Sequence, residues 1–224
     1  MKRIINILVL LAVCMQAMAQ APDSRASIYV KLGTASRLGK ATGNSEIERQ
    51  HAQKLSKGLS AQFELVLNSP SIITAGFIVN DFHATAKDRV VVTYSNGSQA
   101  TGDMIDIADI WTFAPATYLR GTTLGKRLGF FLGVGMGVMG LRDKGTLIDY
   151  SVIKSGWSMA GVTEVGMDYK LTPALSLGLA SNLIVGNLTS YKTKELSTGN
   201  IQKTSNVSES ISHIDLLLSL SYAF

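Results

Sequence analysis

With 224 residues, 46% of them hydrophobic, the chain is long enough for a sizeable core, and we expect a single domain. Its 21 basic and 16 acidic residues give a net charge of +5, which is too mild to indicate a nucleic-acid partner. After residue 20, no stretch approaches 18 consecutive apolar residues, so the sequence predicts no transmembrane helix there.

The N-terminal residues have the pattern of a secretory signal peptide. A basic pair at 2–3 precedes an apolar run over 4–13, and a small-x-small motif ends at Ala19. That run is shorter than the ~20 residues that a spanning helix needs, which argues against a retained anchor. We therefore predict that residues 1–19 are cleaved and that the mature chain begins at Gln20.

The mature chain (20–224) contains no cysteine, because Cys14 is the only one. An exported protein without disulfides has to be stabilised by a large core or by a closed sheet. Cys14 also raises the alternative of a lipoprotein signal, but Val13 stands where such signals usually carry a small residue. Cleavage leaves nineteen basic against sixteen acidic residues, a net charge of +3.

Segments of about ten residues with alternating polarity fill the rest of the chain. Eight can be drawn, over 26–37, 55–66, 71–82, 107–120, 127–139, 158–171, 175–187 and 211–224. Long polar stretches follow the odd-numbered segments, and short turns follow the second, fourth and sixth. This alternation predicts an all-β, transmembrane, antiparallel up-and-down β-barrel of eight strands, with short periplasmic turns and long external loops.

The two faces of the segments differ in a way that suits a barrel in lipid. One face is apolar, and its charges Lys57, Asp81 and Asp109 lie near strand ends, where charge costs little in a membrane. The other face carries small and polar residues. Its charged members are our candidates for a structural ion-pair and hydrogen-bond network that plugs the lumen: Lys31, Glu64, Arg120, Glu164, Asp168, Lys170 and Asp215.

Two details of the fourth segment leave the strand count open. Pro115 lies in mid-strand and removes a ladder donor, so we expect a β-bulge there. The preceding loop contains the pattern of a further hairpin over 90–98. We interpret that hairpin as an external extension of the barrel wall, with a ten-stranded barrel as the alternative.

Two stretches resemble small Gram-negative outer-membrane barrels of the eight-stranded OmpA/OmpX-like, porin-like family. They are GMDYKLTPALSL at 166–177 and the alternating, aromatic-ended 216–224. The resemblance implies location in the outer membrane, contact with its lipid and lipopolysaccharide, and a monomeric barrel. It also implies that Tyr222 and Phe224 form the signal read by the barrel-assembly machinery.

The sequence predicts no catalytic, cofactor-binding or metal-binding residues. The glycine-rich run over 133–140 alternates within a strand and lacks the helix that a nucleotide site needs, so we interpret it as packing relief. By alternation, His213 and Asp215 face the lumen while Ser212 faces lipid, which argues against a lipid-editing triad. We expect a structural or interaction barrel with a plugged lumen, whose external loops bind a ligand or surface. The alternatives are a narrow passive pore and an outer-membrane lipid-modifying enzyme.

Overall fold

A computed structural model describes residues 26–39, 46–68, 72–93, 97–123, 127–148 and 150–224. The predicted signal peptide and its cleavage point between Ala19 and Gln20 lie outside these residues. Within the described ranges, no helix has the length and apolar character to cross a membrane.

Ten strands and one short helix make up the described part of the chain. They are β1 (Ala26–Arg37), α1 (Glu46–Leu55), β2 (Lys57–Leu67), β3 (Ile73–Thr93), β4 (Gln99–Thr122), β5 (Leu128–Leu147), β6 (Tyr150–Lys170), β7 (Leu175–Val185), β8 (Asn187–Glu195), β9 (Ile201–Ser210) and β10 (His213–Ala223).

Eight of these strands close into an antiparallel ring. Neighbours in sequence pair from β1 to β7, β7 pairs with β10, and β10 pairs with β1. Strands β8 and β9 form a hairpin that joins the wall only through β6. The predicted eight-stranded up-and-down barrel is confirmed, and the ten-stranded alternative is wrong.

The strand register defines the shear of the barrel. A path that crosses from each residue to its paired neighbour leaves β6 at Val165 and returns to β6 at Ser155, ten residues away. The path runs through Ser181, Leu216, Thr34, Leu59, His83, Asp109 and Arg142. A shear of ten over eight strands tilts them by roughly 40° from the barrel axis, and each residue then rises about 2.5 Å along that axis.

Three connections that the sequence marks as long polar stretches are largely strands, and the hairpin that we expected to extend the wall in the first of them is confirmed. β3 and β4 pair continuously from Ile73 opposite Leu119 to Thr93 opposite Gln99. β5 and β6 likewise pair out to Leu147 opposite Tyr150. About ten residues of each strand suffice to cross a hydrocarbon layer. The remainder projects beyond it, so the barrel wall continues on the external side.

The third external hairpin continues β7 and β10 with a break in each strand. The break after β7 falls at Gly186, where a Cβ would lie 2.0 Å from the Met139 sulfur. The break before β10 contains Ser212, whose hydroxyl donates to the Gly186 carbonyl at 3.1 Å. A residue with a side chain at position 186 would therefore require the Met139 side chain to move.

The expected bulge at Pro115 is absent. β3 pairs with β4 in one unbroken register through Phe77 opposite Pro115. The β4–β5 register is also the same on both sides of the proline, since Phe113 faces Val138 and Ala116 faces Gly135. The ladder therefore tolerates the missing N–H donor without an inserted residue.

Alternation along the strands separates a buried inner face from an exposed apolar outer face. The outer face forms what we call the lipid-facing band, which includes Leu32, Phe63, Phe77, Phe113, Phe130, Leu132, Val134, Met136, Trp157, Val165, Leu179, Leu183, Leu216 and Leu218, all exposed. The inner face buries both apolar and charged side chains. An apolar exterior around a partly polar interior suits a barrel solvated by lipid.

Candidate functional site: the lumen network and the external cavity

Lys31 occupies the middle of the lumen, where the chain brings two acidic residues to it. The Lys31 side chain is fully buried, and its ammonium lies 2.5 Å from a carboxylate oxygen of Glu64. It also contacts the carboxylate of Glu164, which projects from β6 on the far side of the ring. The Gln62 amide donates to Glu64 and, at 3.4 Å, to Glu164. These contacts join β1, β2 and β6 across the interior.

A second polar layer lies directly above, towards the external end. The buried Asp215 carboxylate accepts hydrogen bonds from Ser60 at 2.8 Å and from Asn80 at 2.9 Å. Asn80 also donates to Gln62 at 3.0 Å, which links the two layers. His213 lies 3.3 Å from the Asn80 carbonyl oxygen and 3.7 Å from Asp215.

An aromatic cluster lies below Lys31, towards the periplasmic end. The Arg120 guanidinium donates to the Tyr29 hydroxyl and lies within 5.0–5.5 Å of the ring centres of Tyr29, Tyr118 and Phe131. The Lys31 ammonium lies 5.0 Å above the Phe131 ring, so the cluster also contacts the central layer. Gly133 provides the space: a Cβ there would lie 2.6 Å from the Tyr118 ring.

The seven charged lumen candidates do not all meet. Lys31, Glu64 and Glu164 form one cluster, and Asp215 belongs to the layer above it. Asp168 accepts a long hydrogen bond from Ser219 at 3.4 Å. Lys170, by contrast, is exposed, because it is the last residue of β6 and the inner face there opens to solvent.

Three neutral amides that we did not single out connect the charged groups. Gln62, Asn80 and Asn182 are almost completely buried, and Asn182 donates to Gln62 at 2.5 Å. Their position on the inner face follows from alternation, but their pairing depends on the register of β2, β3 and β7. The only feature of the sequence that could have identified these three residues is that each is an amide on the polar face of a strand.

Above the polar layers, the inner face becomes apolar and then opens into a cavity. Fully buried side chains from four strands and the break before β10 form the apolar layer: Ile110, Met139, Leu141, Ile184, Leu188 and Ile211. The cavity beyond it has a volume of about 570 Å³. Helix α1 contributes Ala52 and Leu55 to its lining.

Charged residues of both signs line the cavity. Lys154 forms an ion pair with Glu209, and Arg37 lies 3.9 Å from the same carboxylate. Asp143 has a carboxylate oxygen that is buried without a hydrogen-bond partner. Burial, reinforced by the nearby Asp106 carboxylate, raises the pKa of Asp143 to about 6. The cavity therefore presents two cations and two acids to whatever enters it.

Helix α1 is attached to the external wall through His51. The two ring nitrogens of this buried histidine lie 2.7 Å from Asp88 and 3.0 Å from Asp106. Each ring nitrogen therefore lies within hydrogen-bond distance of a different carboxylate. Lys54, one turn further on, also pairs with Asp88. These two basic partners hold the pKa of Asp88 below its usual range.

His213 lies near the Asp215 carboxylate, but its described hydrogen-bond contacts include no hydroxyl group that could act as a nucleophile. Its ring is completely buried in the lumen, while the Ser212 hydroxyl is bonded to Gly186. A different histidine has both kinds of partner on the outer face. His83 lies 2.7 Å from Asp109 through Nδ1, and its Nε2 lies 3.4 Å from the Thr85 hydroxyl. The sequence analysis did not single out this trio, because it spans two paired strands.

Among the described residues, no three His, Cys, Asp or Glu side chains are grouped closely enough to hold a metal ion. The titratable clusters of the lumen are instead ion pairs and hydrogen-bonded carboxylates.

Comparisons with known proteins identify the fold. No family model matches the sequence, and no curated protein matches it. Two solved structures superpose with a TM-score above 0.5. Neisserial surface protein A has a TM-score of 0.53 and 12% identity, covering 90% of this chain and 98% of its own. A major outer membrane protein from Thermus thermophilus has a TM-score of 0.55 and 16% identity, covering 89% of this chain and 99% of its own. In fold, the chain is an eight-stranded antiparallel β-barrel similar to those of these two outer-membrane proteins.

Proposed function

We propose that the protein is a closed, non-conducting outer-membrane barrel that displays its external wall and cavity to a ligand or surface. In this proposal residues 1–19 direct export, and Tyr222 and Phe224 are read during assembly. The observation that carries the closed state is the continuous set of buried side chains across the lumen, centred on Lys31, Glu64 and Glu164.

The physical reason is the cost of isolated charge in a narrow interior. An eight-stranded barrel has a lumen just wide enough for side chains to fill. Its charges are tolerated when each meets an opposite charge or a hydrogen-bond partner. The aromatic cluster below Lys31 and the apolar layer above Asp215 leave the polar layers enclosed between two hydrophobic ones. This order of layers supports a lumen that is closed by side chains rather than one that contains a continuous chain of water molecules.

The external wall supplies the surface for interaction. Three hairpins rise beyond the lipid-facing band, and α1 is fastened to the hairpin of β3 and β4. The cavity beside α1 is lined by residues of the external ends of the wall, such as Arg37, Lys154 and Ser208. Its mixed charges favour a small ligand that carries both polar donors and acceptors.

Planar-bilayer recording tests the closed state directly. The full mature barrel should show no steady single-channel current, because in this proposal the packed side chains above and below the polar layers exclude a continuous file of water. A reproducible conductance that changes when Arg120 or Glu164 is replaced by a neutral residue would show that ions pass the network. That result would favour the narrow passive pore.

The outer-face trio supports a second candidate function, hydrolysis of a lipid ester. Asp109, His83 and Thr85 stand in the order acid, base and hydroxyl at the external edge of the lipid-facing band. In such a reaction His83 would accept the Thr85 proton as the oxygen attacks the acyl carbonyl, then return it to the departing alcohol. Water would subsequently release the acyl group as a free acid and restore Thr85.

Mass spectrometry of outer-membrane lipid tests this candidate. Cells that produce the protein should accumulate lipid lacking one acyl chain, and Thr85→Val or His83→Ala should abolish that product. Arg89→Gln is the matched control, because Arg89 is exposed on the same strand, four residues beyond Thr85. Identical lipid profiles with and without the protein would eliminate the enzymatic function while leaving the closed barrel intact.

A further inference from the structure

Five basic side chains form a compact array on the outward face of the external wall. Arg142, Lys192 and Lys203 lie in one cross-strand row, since Arg142 pairs with Ser155, Ser155 with Lys192, and Lys192 with Lys203. Lys144 and Lys194 lie in the next row, joined through Ile153. All five side chains are exposed. We call them the basic array.

The basic array is not neutralised by its surroundings. None of its five members forms an ion pair with another described residue. On the external extensions of β5, β6, β8 and β9, the outward face carries no acidic side chain among the described residues. The outward-facing acid that pairs with an array member across strands is Asp109, opposite Arg142 on β4, and it is already engaged by His83.

Two array members are placed against each other at an energetic cost. Lys192 and Lys203 are directly opposite across the β8–β9 ladder, and like charges in that position destabilise a sheet. The hairpin therefore contains a repulsion between two lysines that a neutral residue at either position would remove. An anion that binds between the two ammonium groups would remove the repulsion, which points to a ligand rather than to a structural role.

The height of the array identifies the kind of anion. Trp157, which is 63% exposed, marks the external edge of the lipid-facing band on β6, as aromatic residues do at membrane interfaces. The first row of the array begins two residues further out, at Ser155, and the second row two residues beyond that. At about 2.5 Å per residue, the first row crosses β6 roughly 5 Å above Trp157 and the second row crosses it roughly 10 Å above, which is the depth of the headgroup layer.

We propose that the basic array is a binding site for the phosphate groups of lipopolysaccharide in the outer leaflet. The array faces sideways from the barrel wall, so its neighbours at that height are lipid headgroups. Ammonium and guanidinium groups bind phosphate through charge-assisted hydrogen bonds. The site orients the barrel in its membrane with β8 and β9 against bound lipopolysaccharide, and it operates whether or not the lumen is closed.

Binding of purified lipopolysaccharide tests the proposal. The full mature barrel, reconstituted in phosphatidylcholine nanodiscs, is titrated with lipopolysaccharide carrying phosphorylated lipid A and with the same material after dephosphorylation. The array variant Lys192→Gln/Lys203→Gln should bind the phosphorylated form roughly tenfold to thirtyfold more weakly than the unaltered protein. The affinity of the unaltered protein should fall with added salt. Inositol hexakisphosphate serves as a soluble polyanion probe.

A matched control keeps the result interpretable. Lys87→Gln/Arg89→Gln removes two exposed cations from the β3 extension, and it should leave lipopolysaccharide binding unchanged. Because the array variant removes a like-charge pair, it should fold at least as well as the unaltered chain. Equal binding by array and control variants, or undiminished binding of dephosphorylated lipopolysaccharide, would overturn the proposal. An array variant that loses only inositol hexakisphosphate binding would assign the array to a soluble partner, which also overturns it.

Discussion

The charged residues of the lumen show which properties of a residue can be predicted from strand alternation and which cannot. Alternation alone puts Lys31 and Glu164 on the inner face, because successive side chains of a strand point to opposite sides. Their contact joins residues 133 positions apart, and it exists because the ring closes with one particular register. Lys170 follows the same alternation but stands at the strand end, where facing inward no longer means being buried. Alternation therefore predicts which face a residue is on, whereas the strand register decides which residues meet and the position along the strand decides whether they are buried.

Removal of Lys31 should destabilise the barrel far more than neutralisation of one acid. Lys31→Met leaves Glu64 and Glu164 together without a cation, and breaking a buried pair in this way costs about 3–5 kcal/mol. Glu164→Gln keeps the Lys31–Glu64 pair and should cost less. Urea unfolding in lipid vesicles, followed by tryptophan fluorescence, measures both values. If the two variants lose equal stability, Lys31 is not the centre of the network.

At the scale of whole elements, the external extensions were predicted only in part, because the hairpin beyond β3 was expected but the full length of the ladders was not. Between 83 and 106 the strands keep their alternation, but their outward residues Thr85, Lys87 and Arg89 are polar. A search for lipid-facing strands stops where that face becomes polar, although the ladder continues into water. Helix α1 was missed for a related reason: it is ten residues long and mostly polar, and the contacts that hold it are long-range.

Helix α1 should detach from the wall when His51 is replaced. His51→Ala removes both the contact with Asp88 and the contact with Asp106, and hydrogen bonds to charged groups contribute about 1.5–3 kcal/mol each. We expect amide exchange in α1 to accelerate by at least tenfold, with the thermal unfolding of the barrel unchanged. Gln50→Ala, on the exposed side of the same helix, is the control. Unchanged exchange in His51→Ala would mean that Lys54 and Leu55 are sufficient to hold the helix.

For the molecule as a whole, strand number and shear explain why interior and exterior divide as they do. Eight strands with a shear of ten enclose a space that large side chains from opposite walls can bridge, as Lys31 and Glu164 do. The same closure leaves no unpaired edge in the bilayer. The predicted strand number followed from the alternation of long and short connections. The shear could not be predicted, because it depends on the register between β1 and β10, whose residues are nearly 200 positions apart.

Closure of the ring should therefore depend on the tight seam between β1 and β10. A Cβ at Gly33 would lie 1.9 Å from the Leu216 carbonyl oxygen on the opposite strand. Gly33→Val should force the two strands apart and leave backbone groups unpaired in lipid, at several kcal/mol for each group. Thr34→Val is the matched control, since Thr34 is exposed on the lipid side of the same strand. Heat-modifiability on gels reports the folded fraction, which should fall sharply for Gly33→Val and stay unchanged for Thr34→Val. Equal folding of both variants would mean that the seam adjusts to a side chain, and that closure is not limited by this contact.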